Sequence, residues 1–146
     1  MTGPDDPTTC PFCAIARGDD GSVEIVCEDQ GWVAFFPLEP ATPGHTLIIP
    51  RHHVRHLWVM DSADARALMG AVVRVGAAID EALNPEGLNL ITSAGEAAEQ
   101  TVFHLHLHVV PRWQRDGFKI WPPDRPFPEQ LKEEAAERIR QACSLH

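Results

Sequence analysis

The chain has 146 residues, 44% of them hydrophobic, and a formal net charge of -9. That length suits one globular domain with a modest core rather than two. The acidic balance disfavours a polynucleotide partner, and no apolar run approaches the roughly 20 residues of a membrane span.

Residues 1–9 open with the acidic, proline-containing run MTGPDDP and read as disordered, without a basic or apolar leader. The cytoplasm is therefore the expected compartment. Cys10-Pro11-Phe12-Cys13 then begins a short helical turn, Phe12 to Arg17, that Gly18 stops. Val23 to Cys27 and Trp32 to Phe36 read as the two strands of a hairpin turning at Glu28 to Gly31. Pro37, Pro40 and Pro43 break the following stretch into a loop. Thr46 to Ile49, bounded by Gly44 and Pro50, is a short buried strand, and a basic segment with Arg51, His52, His53, Arg55 and His56 follows.

One long helix begins at Asp61-Ser62, with Ser62 as the expected cap. Leu68, Val72, Val75, Ile79 and Leu83 recur at helical spacing and form its buried stripe, and Asn84-Pro85 ends it. Leu88 to Ile91 is a further strand, and Thr92 to Glu99 a loop around Gly95. Trp113 to Phe127 is irregular and rich in proline. Glu129 to Cys143 is a polar amphipathic helix whose apolar side carries Leu131, Ala135, Ile139 and Ala142. About five strands, arranged as hairpins, with one long and one C-terminal helix point to an α+β fold with a mostly antiparallel sheet. The domain spans 10–146, its C-terminal extension starting at about residue 113.

The chemistry concentrates between Gln100 and Arg112. Three histidines, His104, His106 and His108, alternate with apolar residues, and Phe103, Leu105, Leu107 and Val109 fill the other positions. Alternation is a strand period, so one face goes to the core and the other carries imidazoles about 6.5–7 Å apart. Each buried imidazole needs partners for a donor and an acceptor. A core would use Val or Ile instead, so three in a row point to function. The set can bind a catalytic metal. It can supply a nucleophilic imidazole oriented by its neighbours. It can also act as a pH switch or metal store. Gln100 and Thr101 add neutral donors, Arg112 adds positive charge, and no nearby carboxylate serves as a general base. That surrounding suits a phosphoryl group better than a peptide.

The run His104-Leu105-His106-Leu107-His108-Val109-Val110 resembles the signature of the histidine triad (HIT) superfamily, with an aliphatic residue after each histidine. Cys10-Pro11-Phe12-Cys13-Ala14-Ile15 with Gly18-Asp19, and Gly44-His45-Thr46-Leu47-Ile48-Ile49-Pro50-Arg51-His52-His53, are similar to blocks of its bacterial, Hint-like branch. Gly87-Leu88-Asn89 and Gly95 ahead of Gln100-Thr101-Val102-Phe103 fit as well.

The resemblance implies a HIT-like fold and a homodimer formed through the long helix and an edge strand. It implies a nucleotide hydrolase or transferase acting at the α-phosphate of a nucleoside phosphoramidate or dinucleoside polyphosphate. His106 would be the nucleophile and His108 would sit by the phosphate, with His104 and His45 orienting them. Leu38, Ser93, Gln100, Thr101, His106 and His108 would hold the nucleotide, Gln100 bonding the phosphate and Thr101 lying near the leaving group. A structural zinc would take Cys10, Cys13, His53 and His104; no organic cofactor is implied. Two positions depart from the family pattern. Pro37 stands where an Asp usually holds the ribose, Glu39 being the nearest substitute, and Ser93 stands where Asn is frequent.

Two further readings remain. One is a non-catalytic nucleotide-binding regulatory module, and the other a zinc hydrolase using the three triad imidazoles as ligands. His52 and His56 read as exposed loop residues, and Cys27 and Cys143 as ordinary thiols. His146 has no evident role. Trp32, Trp58, Trp113 and Trp121 read as core or interface anchors rather than base-stacking platforms.

Overall fold

The computed structural model describes residues 5–121 and 128–145. Helix α1 (Pro11–Arg17) comes first, then strands β1 (Ile25–Glu28), β2 (Trp32–Phe35) and β3 (Thr46–Pro50). Helix α2 (Ser62–Leu83), strands β4 (Gly87–Ile91) and β5 (Leu107–Arg112), and helix α3 (Glu129–Cys143) complete the chain. The five strands form one sheet in the order β1-β2-β3-β5-β4, and every pairing is antiparallel. This is the α+β architecture that the strand and helix pattern implies.

At its centre the sheet is covered on both faces, which is why β2 and β3 are apolar without alternation and buried throughout. On one face, Trp32, Ala34, Ile48, Leu105, Leu107 and Val109 pack against Leu68, Ala71, Val72, Val75 and Ile79 of α2. On the other, Val33, Phe35, Leu47 and Ile49 pack against Ile15 and Ala16 of α1. Fully burying one such aliphatic side chain contributes about 1.5–3 kcal/mol. The short α1 survives by this packing, by Cys10 at its N-cap accepting the Cys13 N–H, and by Gly18 closing it at φ 79°.

Several expectations change. Asp61, not Ser62, caps α2, its carboxylate accepting the Ala63 N–H at 2.8 Å. Ladder pairing in the histidine stretch begins only at Leu107, so His104 and His106 lie in extended and bent chain ahead of β5. The alternation still holds, with Leu105, Leu107 and Val109 facing α2. Phe103 does not reach the core; it is half-buried beneath the Arg55 guanidinium, 4.3 Å from its ring centre. Residues 5–9, expected to be disordered, form a turn in which Asp6 accepts from Thr8, and Asp5 pairs with Arg55. Residues 1–4, the proline-rich run 122–127 and His146 lie outside the described residues. Among the described residues the apolar side of α3 stays open: Leu131 and Ile139 are 48% and 61% exposed. Trp32 joins the core, whereas Trp58 and Trp121 are exposed. His52 is exposed as expected, but His56 is half-buried, its Nδ1 enclosed without a hydrogen-bond partner.

Gly44 places the first functional side chain. It takes φ 81° in the turn leading into β3, and an added Cβ would collide with Leu83 at the end of α2. A glycine there lets the loop pass under α2 and deliver His45 to the face opposite that helix.

Candidate active site

His45, His106 and His108 gather on the α1 side of the sheet. The Phe12 ring of α1 stands edge-on to His106, with ring centres 5.1 Å apart. His106 and His45 are each 7% exposed, and His104 is fully buried.

The hydrogen bonds assign the tautomers. The Ala41 backbone N–H donates to His45 Nδ1 at 3.0 Å, so the His45 proton sits on Nε2. That Nε2–H points to His108 Nδ1 at 2.9 Å, which leaves the His108 proton on its own Nε2. His106 Nδ1–H donates to the His104 carbonyl at 2.8 Å, so His106 Nε2 keeps a free lone pair. The Thr92 hydroxyl donates to the His106 carbonyl at 3.0 Å and fixes that residue from the β4 side. The His106 and His108 rings are 5.0 Å apart at 66°. A lone pair and a proton donor are thus held side by side, which is what attack on phosphorus with stabilisation of its oxygens requires.

Burial keeps these rings neutral. It holds His106 and His45 below the usual imidazole value. Burial also pushes His108 down to about 4, with His106 and His45 beside it adding to the effect. A protonated His106 could not attack, so the lowering favours the reactive form at neutral pH.

His104 turns the other way. Its Nε2–H donates to the Pro50 carbonyl at 2.9 Å, leaving Nδ1 as a lone-pair donor. That Nδ1 lies 3.5 Å from Cys10 Sγ and 3.4 Å from Cys13 Sγ, and His53 Nδ1 lies 3.3 Å from Cys13 Sγ. All four ligand atoms fall within 4.8 Å of one another. Tetrahedral zinc with bonds of about 2.0–2.3 Å has ligand–ligand edges of about 3.5 Å, so the donor set and its spacing fit zinc. The Cys13 thiol is pushed up to about 11, by burial and then by Cys10. A bound cation reverses that preference.

Among the described residues this is the one cluster of metal-ligating side chains that converges. The three triad imidazoles do not form a ligand set: among the described residues they do not converge as a metal-ligating cluster, and His104 Nδ1 faces the cysteines instead. The reading of His104, His106 and His108 as a catalytic metal site is corrected accordingly.

The expected phosphate contact of Gln100 is also corrected, and so is the reading of Arg112 as positive charge available to the site. Gln100 is 3% exposed and its amide is fully used: Oε1 accepts from the Gly95 N–H, and Nε2 donates to the Arg55 and Val102 carbonyls. It braces the loop rather than reaching a ligand. Arg112 donates to both Asp116 carboxylate oxygens and to Asn89, so its charge is compensated locally. Of the remaining nucleotide candidates, Ser93 is half-buried and Thr101 exposed on the loop before His104. Leu38 is 76% exposed beyond β2, next to the half-buried Pro37. Sequence reasoning missed the Ala41 amide, the Pro50 carbonyl and the Thr92 hydroxyl. The first two are backbone groups and leave no residue signature.

A small antiparallel α+β domain with linked imidazoles on one sheet face, the last of them within an inner strand, defines a histidine-triad protein. The chain belongs to the HIT family, whose HIT domain matches residues 21–115. It is similar to the solved structure of SMU.412c from Streptococcus mutans, with a TM-score of 0.85, 35% identity, and 98% of this chain and 93% of that one covered. A zinc-bound histidine triad family protein from Mycobacterium smegmatis is 37% identical with a TM-score of 0.70, over 93% of this chain and 99% of that one. An adenosine 5'-monophosphoramidase of Schizosaccharomyces pombe is 29% identical over 137 residues, covering 90% of this chain and 99% of the relative.

Proposed function

We propose that the protein cleaves a nucleoside phosphoramidate or a dinucleoside polyphosphate at the α-phosphate. The observation that carries this reading is the His106 tautomer, with Nδ1–H held by the His104 carbonyl and Nε2 free. In the first step the Nε2 lone pair forms a bond to phosphorus and the bond to the leaving group breaks, the leaving group departing with a proton taken from solvent. The His108 Nε2–H donates to a phosphoryl oxygen as charge develops there. Water then forms the new P–O bond and returns a proton to solvent, the P–N bond to His106 breaks with its electron pair going back to Nε2, and the nucleoside monophosphate leaves. Covalent capture divides one hard displacement into two easier ones. The naming of the fission-yeast relative as a monophosphoramidase supports the substrate class. The test is His106→Ala: turnover of adenosine phosphoramidate should disappear while the fold, read by circular dichroism, is kept. Undiminished turnover would overturn the reading.

Zinc belongs to the same proposal. Cys10, Cys13, His53 and His104 would hold it, and it would tie α1 to the segment that carries the nucleophile. The zinc-bound mycobacterial neighbour supports this assignment. We also propose a homodimer. The outward side of α2 presents Met69 and Val73, and the edge strand β4 presents Leu88 and Leu90, all at least 39% exposed. No helix among the described residues is long and apolar enough to cross a membrane, and the free thiols fit a reducing cytoplasm.

A second reading, a nucleotide-binding module without turnover, is favoured by one observation. The nucleoside end offers Pro37 and exposed Leu38 where an Asp is usual, and Ser93 where Asn is frequent. Nucleotide affinity without release of monophosphate would support it, and rapid release would remove it.

A further inference from the structure

Cys10 and Cys13 are not only ligand candidates. They are two reduced thiols on one helical turn, with the Cys13 N–H donating to Cys10 Sγ at 3.4 Å. Their sulfurs lie within 4.8 Å of each other. A disulfide needs about 2.05 Å between sulfurs, a distance that side-chain rotation within one Cys-x-x-Cys turn can close. Cys10 is 7% exposed and lies at the edge of a surface cleft. It lines an open cleft of about 220 Å³ together with Asp6, Thr9, Thr101 and Phe103. A peroxide molecule fits such a cleft, whereas a protein oxidant does not. Cys27 and Cys143 have no partner cysteine nearby in sequence, so neither offers the same internal bond.

We propose that Cys10 and Cys13 form a peroxide-sensitive pair whose oxidation to a disulfide empties the Cys10–Cys13–His53–His104 cluster and loosens the grip on His106. The Cys10 thiolate attacks one oxygen of hydrogen peroxide. Its O–O bond breaks, leaving a sulfenic acid on Cys10 and, with one proton, a first water. Cys13 sulfur attacks the sulfenic sulfur, the S–S bond forms, and the sulfenic oxygen leaves with a proton as a second water. Two thiolates lose two electrons to the peroxide and two protons are consumed; Cys10 and Cys13 would then no longer offer thiolate ligands to zinc, whose own oxidation state would not change.

The consequence travels through His104. Its ring is held on one side by the Pro50 carbonyl and on the other by the two sulfurs. Its own carbonyl accepts the His106 Nδ1–H. Residues 101–106 lie outside the sheet ladder, and the backbone bond from the Leu105 N–H to the Val54 carbonyl is a local anchor there. Disulfide formation removes the sulfurs from His104 and frees that carbonyl to shift. Cys10, Cys13 and His104 act here as positioning residues for the nucleophile. Losing such outer partners typically lowers activity about 10–100-fold.

This inference rests on the zinc reading above, and the experiment separates the two. Full-length protein carrying Cys27→Ser and Cys143→Ser is reduced, loaded with zinc and desalted, and its metal content is measured. It is then titrated with hydrogen peroxide while a chromogenic chelator reports free zinc and intact-mass spectrometry reports oxidation. The expected result is one zinc released per loss of 2 Da, mapped by peptides to a Cys10–Cys13 bond. A thiol reductant plus zinc should reverse both changes. Turnover of adenosine phosphoramidate should fall about tenfold or more in kcat with little change in KM. Zinc that binds and stays while peroxide is present, or oxidation without the Cys10–Cys13 bond, overturns the inference and leaves the zinc reading intact. A reduced protein that takes up no zinc overturns both. The metal and mass readouts do not depend on the hydrolysis being correct.

Discussion

His45 Nε2 stands 2.9 Å from His108 Nδ1, and the Ala41 amide on the far side of His45 decides which nitrogen carries the proton. A backbone N–H thereby sets the tautomer of a ring two bonds away, and His108 presents its Nε2–H to the site. His45→Ala removes that constraint without touching His106. It should lower kcat about 10–100-fold, with a smaller effect on KM, since it orients a contact rather than making one. Steady-state kinetics on adenosine phosphoramidate checks this, and a change confined to KM would contradict it.

The pH profile should also be distinctive. His108, pushed down to about 4 chiefly by burial, stays neutral well below the ordinary imidazole value of 6.5. The kcat/KM curve should therefore show no loss centred at 6.5, and any acid limb due to His108 should appear near pH 4. Stability responds in the same window. The unfolded chain takes up the His108 proton as pH falls below about 6.5 and the folded chain does not until about 4, so His108 contributes stability above 6.5 that is lost between those values. Thermal denaturation measured from pH 8 to 4 reads this, and His108→Ala should flatten that share of the slope.

Gln100→Ala should act on the fold more than on the phosphate. The substitution leaves the Gly95 N–H and the Arg55 and Val102 carbonyls without their side-chain partner in a buried place. An unsatisfied buried group costs about 1–3 kcal/mol. A denaturant midpoint shift worth about 2–3 kcal/mol is expected. Unchanged stability with a large rise in KM would restore Gln100 to the phosphate.

Arg112→Ala tests whether any free positive charge serves the site. Asp116 is held well below the usual carboxylate range, chiefly by the Arg112 side chain, which shows how fully the pair is occupied. The variant should lose stability while kcat/KM changes by less than about threefold, a shift under 1 kcal/mol. A hundredfold loss of kcat/KM in a well-folded variant would place Arg112 in substrate binding.

The division between what the sequence discloses and what it hides follows from range. The long helix is legible because Leu68, Val72, Val75 and Ile79 repeat at its own period, and all four are buried on the sheet. The imidazole face is legible because Leu105, Leu107 and Val109 mark the opposite side. The Cys10, Cys13, His53 and His104 set was available through family resemblance, and the fold brings its four ligand atoms together. Partnerships between distant residues were not legible. Gln100 and Arg112 look like phosphate ligands by type, and only the folded chain shows Arg55, Val102, Asn89 and Asp116 already using them. The end of strand pairing at Leu107 was hidden for a related reason. Alternation reports which face a side chain takes, whereas pairing depends on whether β3 still lies alongside, and its ladder with β5 runs only from Thr46–Val109 to Ile48–Leu107.

The central claim is that His106 Nε2 attacks phosphorus. Its most direct test is rapid acid-free quenching of the protein with adenosine phosphoramidate, followed by intact-mass and peptide mass spectrometry. The account requires a transient adenylyl adduct on the peptide carrying His106, absent in His106→Ala and decaying at a rate no slower than kcat. An adduct on another residue, or steady turnover with none at all under conditions that trap a control phosphohistidine, would contradict it.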